Sequence, residues 1–185
     1  MSNADRHGTI VQTGRESGRI TVQELAHLLR RRPVTVLPLC LQAIHVLDQG
    51  SGPSTLKVPG GQPRPAEGAF TGPLTLASLA ALRFDTAIMG CCGLSATEGL
   101  TAYDLDDAAV KKAAIASTRR IIVAADGGKL GHTAYVYVGP STLLHTLVTD
   151  ATASAGQSSR ARRRRHRRQG RLMITHATAP LWSAG

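Results

Sequence analysis

A chain of 185 residues can bury one sizeable core and a small accessory module besides. Its 42% hydrophobic and 3% aromatic content, with 19 glycines, fits a close-packed α/β protein and speaks against an aromatic stacking surface for single-stranded nucleic acid. The formal charge of +10 reads as a nucleic-acid footprint only until it is divided along the chain. Residues 1–159 hold 14 basic and 12 acidic groups, a net of +2, while Arg160, Arg162 to Arg165, Arg167, Arg168 and Arg171 make up a basic tail.

Taken in chain order, residues 9–29 read as a poor first helix, a turn near Gly18 and a better second helix. Thr21 and Glu24 have capping-box spacing, and Val22, Leu25, Ala26 and Leu29 repeat on one helical face. Val34 to Leu37 is a short β-branched run, followed by helical spacing at Leu41, Ile44, His45 and Leu47, which makes one β-then-α unit. A short strand is predicted at 55–58, then a Pro/Gly loop through Gly60, Gly61, Pro63 and Pro65.

"LTLASLAALR" predicts a helix and "FDTAIMG" a buried strand ending in Gly90. "DLDDAAVKKAAIASTRR" predicts the clearest helix, with Asp104, Asp106 and Asp107 in its first turn and Arg119 and Arg120 at its end, both matched to the helix dipole. "IIVAAD" and "LLHTLVTD" are continuous apolar strands of the kind buried in a parallel sheet. This alternation predicts an α/β fold with an open, mostly parallel sheet and flanking helices. Ligands then gather at the carboxyl ends of strands, here Gly90, Asp126 and Asp150. After Asp150 the composition shifts to an acid-free, arginine-dense segment expected to be disordered, in which "LMITHA" alone resembles a strand.

Three cysteines, Cys40, Cys91 and Cys92, do not make a paired disulfide framework, so a reduced, cytoplasmic protein is expected. No secretory leader is visible, and no apolar stretch reaches the roughly 18 residues needed to span a bilayer, so no membrane association is expected. Cys91 and Cys92 have neither the C-x-x-C spacing nor the second pair that structural zinc normally draws on, and no metal or cofactor is expected. As a nucleophile, a thiol at a strand end near a helix N-terminus would have a depressed pKa; the plainer reading is two small residues packed at a backbone turn. Asp126, Gly127, Gly128 and Lys129 follow a predicted buried strand, so their amides and the lysine ammonium are candidates to hold an anion, against the alternative of a solvated glycine turn. Gly60 and Gly61 give a weaker signal of the same kind, without a dinucleotide fingerprint. The arginine tail predicts salt-dependent polyanion binding with little sequence preference, or no selected role; its abrupt onset also suggests a frame-shifted or replaced terminus.

The segments "VPGGQPRPAEGAFTGPLT", "FDTAIMGCCGLSATEGLTAYDLDDAAVKKA" and "IIVAADGGKLG" resemble the effector-binding domain of DeoR-family transcriptional regulators from about Val34 to Asp150. The resemblance implies a fold like that of sugar-phosphate isomerases, a phosphorylated sugar as effector, repression as output, and a homo-oligomer. It implies an effector site at Gly60, Gly61, Gly90, Cys92, Gly93, Gly99, Thr101, Lys111, Asp126 and Lys129, with Cys92 standing where many relatives carry an acid or amide. Related isomerases place a carboxylate base beside the helix lysine; here Ala109 and Val110 precede Lys111, so binding without catalysis is expected.

Residues 9–29 resemble the first two helices of the family's winged helix-turn-helix, and the implied DNA contacts are Arg19, Thr21, Arg30, Arg31 and Arg32. The recognition helix and the wing are absent from the pattern, so phosphate contacts without base readout are expected. The implied organisation is a partial helix-turn-helix at 1–32, a sensor domain lacking its first β/α unit at 33–150, and the tail at 151–185. The alternatives to a sugar-sensing, DNA-binding repressor are an isomerase-like enzyme on the same substrates and a non-functional regulator fragment.

Overall fold

The computed structural model describes residues 21–49, 51–65, 67–150 and 173–176. The chain divides into two compact units, Ile20–Arg83 and one built on Phe84–Gly185. The expected poor helix near residue 10 and the arginine block lie outside the described residues.

In the first unit, α1 (Val22–Arg30) starts where the capping box predicts. The Thr21 hydroxyl accepts from the Glu24 amide at 3.2 Å, and the Glu24 carboxylate accepts from the Thr21 amide at 2.7 Å. Ala26, 2% exposed, packs with Ala43, Val46 and Leu47 of α2 (Leu41–Asp48) in a small core. The predicted α2 face holds at Leu47, which is buried, but not at Leu41 and His45, which are exposed; Ala43 and Val46 are the other inward positions. β1 (Thr35–Val36) and β2 (Thr55–Leu56) pair in parallel, β3 (Gln62–Pro63) and β4 (Phe70–Thr71) antiparallel, and α3 (Pro73–Ala81) begins with proline at its first turn.

The second unit carries a mixed four-stranded sheet in the order Met173–His176, Thr146–Thr149, Thr118–Ala124, Phe84–Gly90. β5 (Phe84–Gly90), β8 (Thr118–Ala124) and β10 (Thr146–Thr149) run parallel, and β11 (Met173–His176) pairs antiparallel with β10. The expectation of disorder from 151 onward therefore does not hold for these four residues, whose ladder with β10 satisfies backbone that would otherwise form a sheet edge. The crossover from β5 to β8 contains α4 (Leu105–Ala116), with Asp104 as its cap accepting from the Asp107 amide at 2.8 Å. Arg119 and Arg120 do not end this helix: Ser117 closes it, and both arginines are exposed on β8. The strand ladder, a tertiary interaction, outweighs the dipole match that made them look helical.

A second sheet was not expected. β6 (Gly93–Ser95) and β7 (Gly99–Ala102) form an antiparallel hairpin, and β9 (Val136–Gly139) adds to β7. β6 and β7 are buried throughout, so they show no alternation to read. The core of this unit joins the two sheets and α4 through Leu94, Leu100, Ala102, Ala108, Val123 and Val138. Among the described residues, no helix is long and apolar enough to cross a membrane.

Candidate functional site

Parallel pairing puts the carboxyl ends of three strands side by side. Gly90 is opposite Ala124, and Ala124 is opposite Val148, so the residues that follow, Cys91, Asp126 and Asp150, leave from one edge of the sheet. The loop after β5 then turns into the small sheet: the Cys92 amide donates to the Thr101 carbonyl at 3.1 Å, and the Gly131 amide donates to the Leu94 carbonyl at 2.8 Å. The first bond ties the Gly90–Gly93 loop to β7, and the second ties Leu94, directly after that loop, to the end of the Asp126–Gly131 turn.

Cys91 reports what surrounds this corner. The residue is 5% exposed, and burial pushes its thiol pKa up to about 11. The ammonium groups of Lys129 and Lys111 oppose the rise, while Cys92 and Asp126 add to it. Both lysines and Asp126 are thus within electrostatic reach of one thiol. The depressed pKa expected of a nucleophile at this position is not found at Cys91, because desolvation outweighs both cations.

The two lysines are held differently. Lys111 pairs with Asp107 one helical turn earlier, with the side chains 15% and 22% exposed. Lys129 pairs with Asp126 at 3.4 Å, with side chains 42% and 74% exposed. Asp107, read from sequence only as a first-turn acid, is the carboxylate beside Lys111, and the i,i+4 spacing of opposite charges was the available signal.

The turn after β8 offers fewer amides than its sequence suggests. The Gly127 N–H donates to the Asp150 carboxylate at 3.2 Å and the Lys129 N–H to the Asp126 carbonyl at 2.9 Å. Gly128 has open space where a Cβ would stand.

Several expected site residues are engaged inside the fold. Thr101 is 2% exposed, and its hydroxyl donates to the Gly93 carbonyl at 3.1 Å while accepting from the Ala134 amide at 2.9 Å. A Cβ on Gly93 would stand 2.5 Å from the His132 carbonyl oxygen, and one on Gly99, at φ +68°, 2.3 Å from that of Gly139. Backbone approach explains both glycines. Gly90 is exposed, and a Cβ there would meet only the Ala124 oxygen at 3.8 Å. Cys92 is half-buried.

Gly60 and Gly61 belong to the first unit. The Thr75 hydroxyl donates to the Gly60 carbonyl at 2.7 Å, and Gly61 has φ +120°. Of the expected DNA contacts, Arg19 lies outside the described residues and Thr21 caps α1. The Arg30 guanidinium donates to the Gln49 carbonyl, Arg31 is the exposed C-cap of α1, and Arg32 is half-buried.

Three parallel strands that end together, flanked by a helix and a small antiparallel sheet, define an α/β domain whose candidate ligand site is that shared edge. The model of the DeoR C-terminal sensor domain matches residues 17–151, and the chain belongs to that family. Over 92 residues it is 29% identical to the glycerol-3-phosphate regulon repressor of Escherichia coli (strain K12), covering 50% of this chain and 36% of that protein. Over 96 residues it is 30% identical to the uncharacterized HTH-type transcriptional regulator FruR of Bacillus subtilis (strain 168), covering 50% and 38%. The HTH-type transcriptional regulator GlpR of Haloferax volcanii is 27% identical over 100 residues, covering 54% and 39%. The matches thus span 36% to 39% of these three relatives' own lengths.

Proposed function

We propose that the chain acts as the sensor of a transcriptional regulator of sugar metabolism and binds a phosphorylated sugar at the carboxyl ends of β5 and β8. The observation that carries this reading is the parallel register that ends β5, β8 and β10 side by side, with Lys129 on the turn directly after β8. Lys129 is the anion contact: its pair with Asp126 is largely solvated and cheap to break, whereas Lys111 is held in a more buried pair. Cys92 offers the ligand no strong hydrogen bond. One relative is named for a glycerol-3-phosphate regulon, and two others are named as HTH-type regulators, which supports this ligand class and output.

A panel of phosphorylated sugars in a thermal-shift assay tests the reading. At a hundredfold excess over Kd the true effector adds about 2.7 kcal/mol of stability. Lys129→Gln is expected to abolish that shift and leave the melting temperature without effector unchanged. A folded protein stabilised by no member of the panel would remove the sensor.

The second reading, an isomerase-like enzyme, is favoured by one observation, the carboxylate of Asp107 beside Lys111. Its engagement with that ammonium argues for a binding role, and aldose-to-ketose conversion assayed on the same panel distinguishes the two. The family match begins at residue 17, ahead of α1, and α1 shares a core with α2. We therefore assign α1 to the sensor domain, so that Arg30, Arg31 and Arg32 read no bases, and we keep DNA binding and homo-oligomerisation as properties of the whole regulator. Salt-dependent DNA binding measured with Arg31→Gln separates this from a helix-turn-helix role, since loss of a phosphate contact lowers the salt slope by about 1.

A further inference from the structure

The turn that carries Lys129 is bonded across 23 residues to the end of β10, where Asp150 accepts the Gly127 N–H at 3.2 Å. A carboxylate thus already occupies one of the amides that the turn would otherwise offer an anion. Directly before it, Thr149 is 3% exposed, and its hydroxyl is buried without a hydrogen-bond partner. The β8–β10 ladder ends one residue earlier, with Val148 opposite Ala124, and the Ala125 N–H donates to the Val148 carbonyl at 2.9 Å, next to the turn. Buried hydroxyls are nearly always satisfied, so this strand end is held in an arrangement that a change of bonding can improve.

We propose that Asp150 is an internal competitor for the effector's anion. A phosphoryl group seated on Lys129 takes the Gly127 N–H in exchange for the Asp150 carboxylate, and the exchange frees the Thr149–Asp150 strand end to repack. Affinity at the site is then the difference between two anions competing for one amide. The readout has a physical path: Thr149 pairs with Met173 in the β10–β11 ladder, so movement at Asp150 acts directly on that pairing. This inference rests on the effector site proposed above.

The test uses the full chain and inorganic phosphate, followed through the amide resonances of Gly127 and Gly128. Phosphate is expected to shift the Gly127 amide in the unmodified protein. Asp150→Asn keeps an acceptor but removes its charge, and is expected to bind phosphate about tenfold more tightly, the margin of a charge-assisted hydrogen bond over a neutral one. Lys129→Gln should weaken phosphate in both backgrounds. Equal affinity with and without the Asp150 charge, alongside a loss on Lys129→Gln, would overturn the competitor and leave the effector site standing. If neither phosphate nor any phosphorylated sugar shifts these resonances, the site itself fails. Should Asp150→Asn not fold, the unmodified protein decides: phosphate that moves Gly128 while leaving Gly127 unmoved overturns the exchange.

Discussion

Replacing Thr101 by valine keeps the volume of the side chain and deletes its hydroxyl. That hydroxyl joins three segments: it sits on β7, donates to Gly93 at the start of β6, and accepts from Ala134 before β9. At 2% exposure no water reaches the groups left behind, so Thr101→Val strands one buried carbonyl and one buried N–H. Each stranded group costs about 1–3 kcal/mol, which sums to about 2–6 kcal/mol against a typical domain stability of about 5–15 kcal/mol. Urea denaturation followed by far-ultraviolet circular dichroism measures the loss as a lower midpoint at unchanged slope. Amide exchange locates it, with Ala134 protected in the parent and exposed to exchange in the variant. Thr101→Ser, which retains the hydroxyl, should recover most of the loss. If Thr101→Val melts with the parent and instead loses effector affinity, the residue is a ligand contact and the structural reasoning is refuted.

Gly61→Ala would place a Cβ 2.0 Å from the Thr75 hydroxyl and 2.6 Å from the Thr71 carbonyl oxygen at φ +120°, and is expected to cost about 3 kcal/mol in a thermal or urea melt, whereas Gly128→Ala, with nothing within 4 Å, should stay within about 0.5 kcal/mol. The Cys91 thiol, pushed up from 9.0 to about 11, should react with iodoacetamide at pH 8 about a hundredfold more slowly than an unshifted thiol of equal access. Because the unfolded chain gives up that proton first, the Cys91 contribution to stability is complete below pH 9 and is lost as pH rises toward 11, a window that Cys91→Ala should flatten in pH-dependent melts.

The three parallel strands from Phe84 onward and α4 were legible, because buried parallel strands read as apolar runs and α4 carries its acids in its first turn, whereas β6, β7 and β9 were not. The same reading found the three strand ends that gather the candidate site, since a parallel sheet places successive carboxyl ends on one edge whatever the side chains. The cap of α1 was equally plain, for Thr21 and Glu24 satisfy each other within one turn. What only the tertiary structure decided is which polar groups remain available. Thr101, Gly93 and Gly99 look like loop chemistry in sequence, yet each is committed to a segment more than 30 residues away: Thr101 to Ala134, Gly93 to His132 and Gly99 to Gly139. The Gly127 amide looked open and is held by Asp150. Local pattern reports periodicity and capping, both of which act within a few residues; hydrogen-bond satisfaction and desolvation depend on neighbours that the chain brings together only on folding.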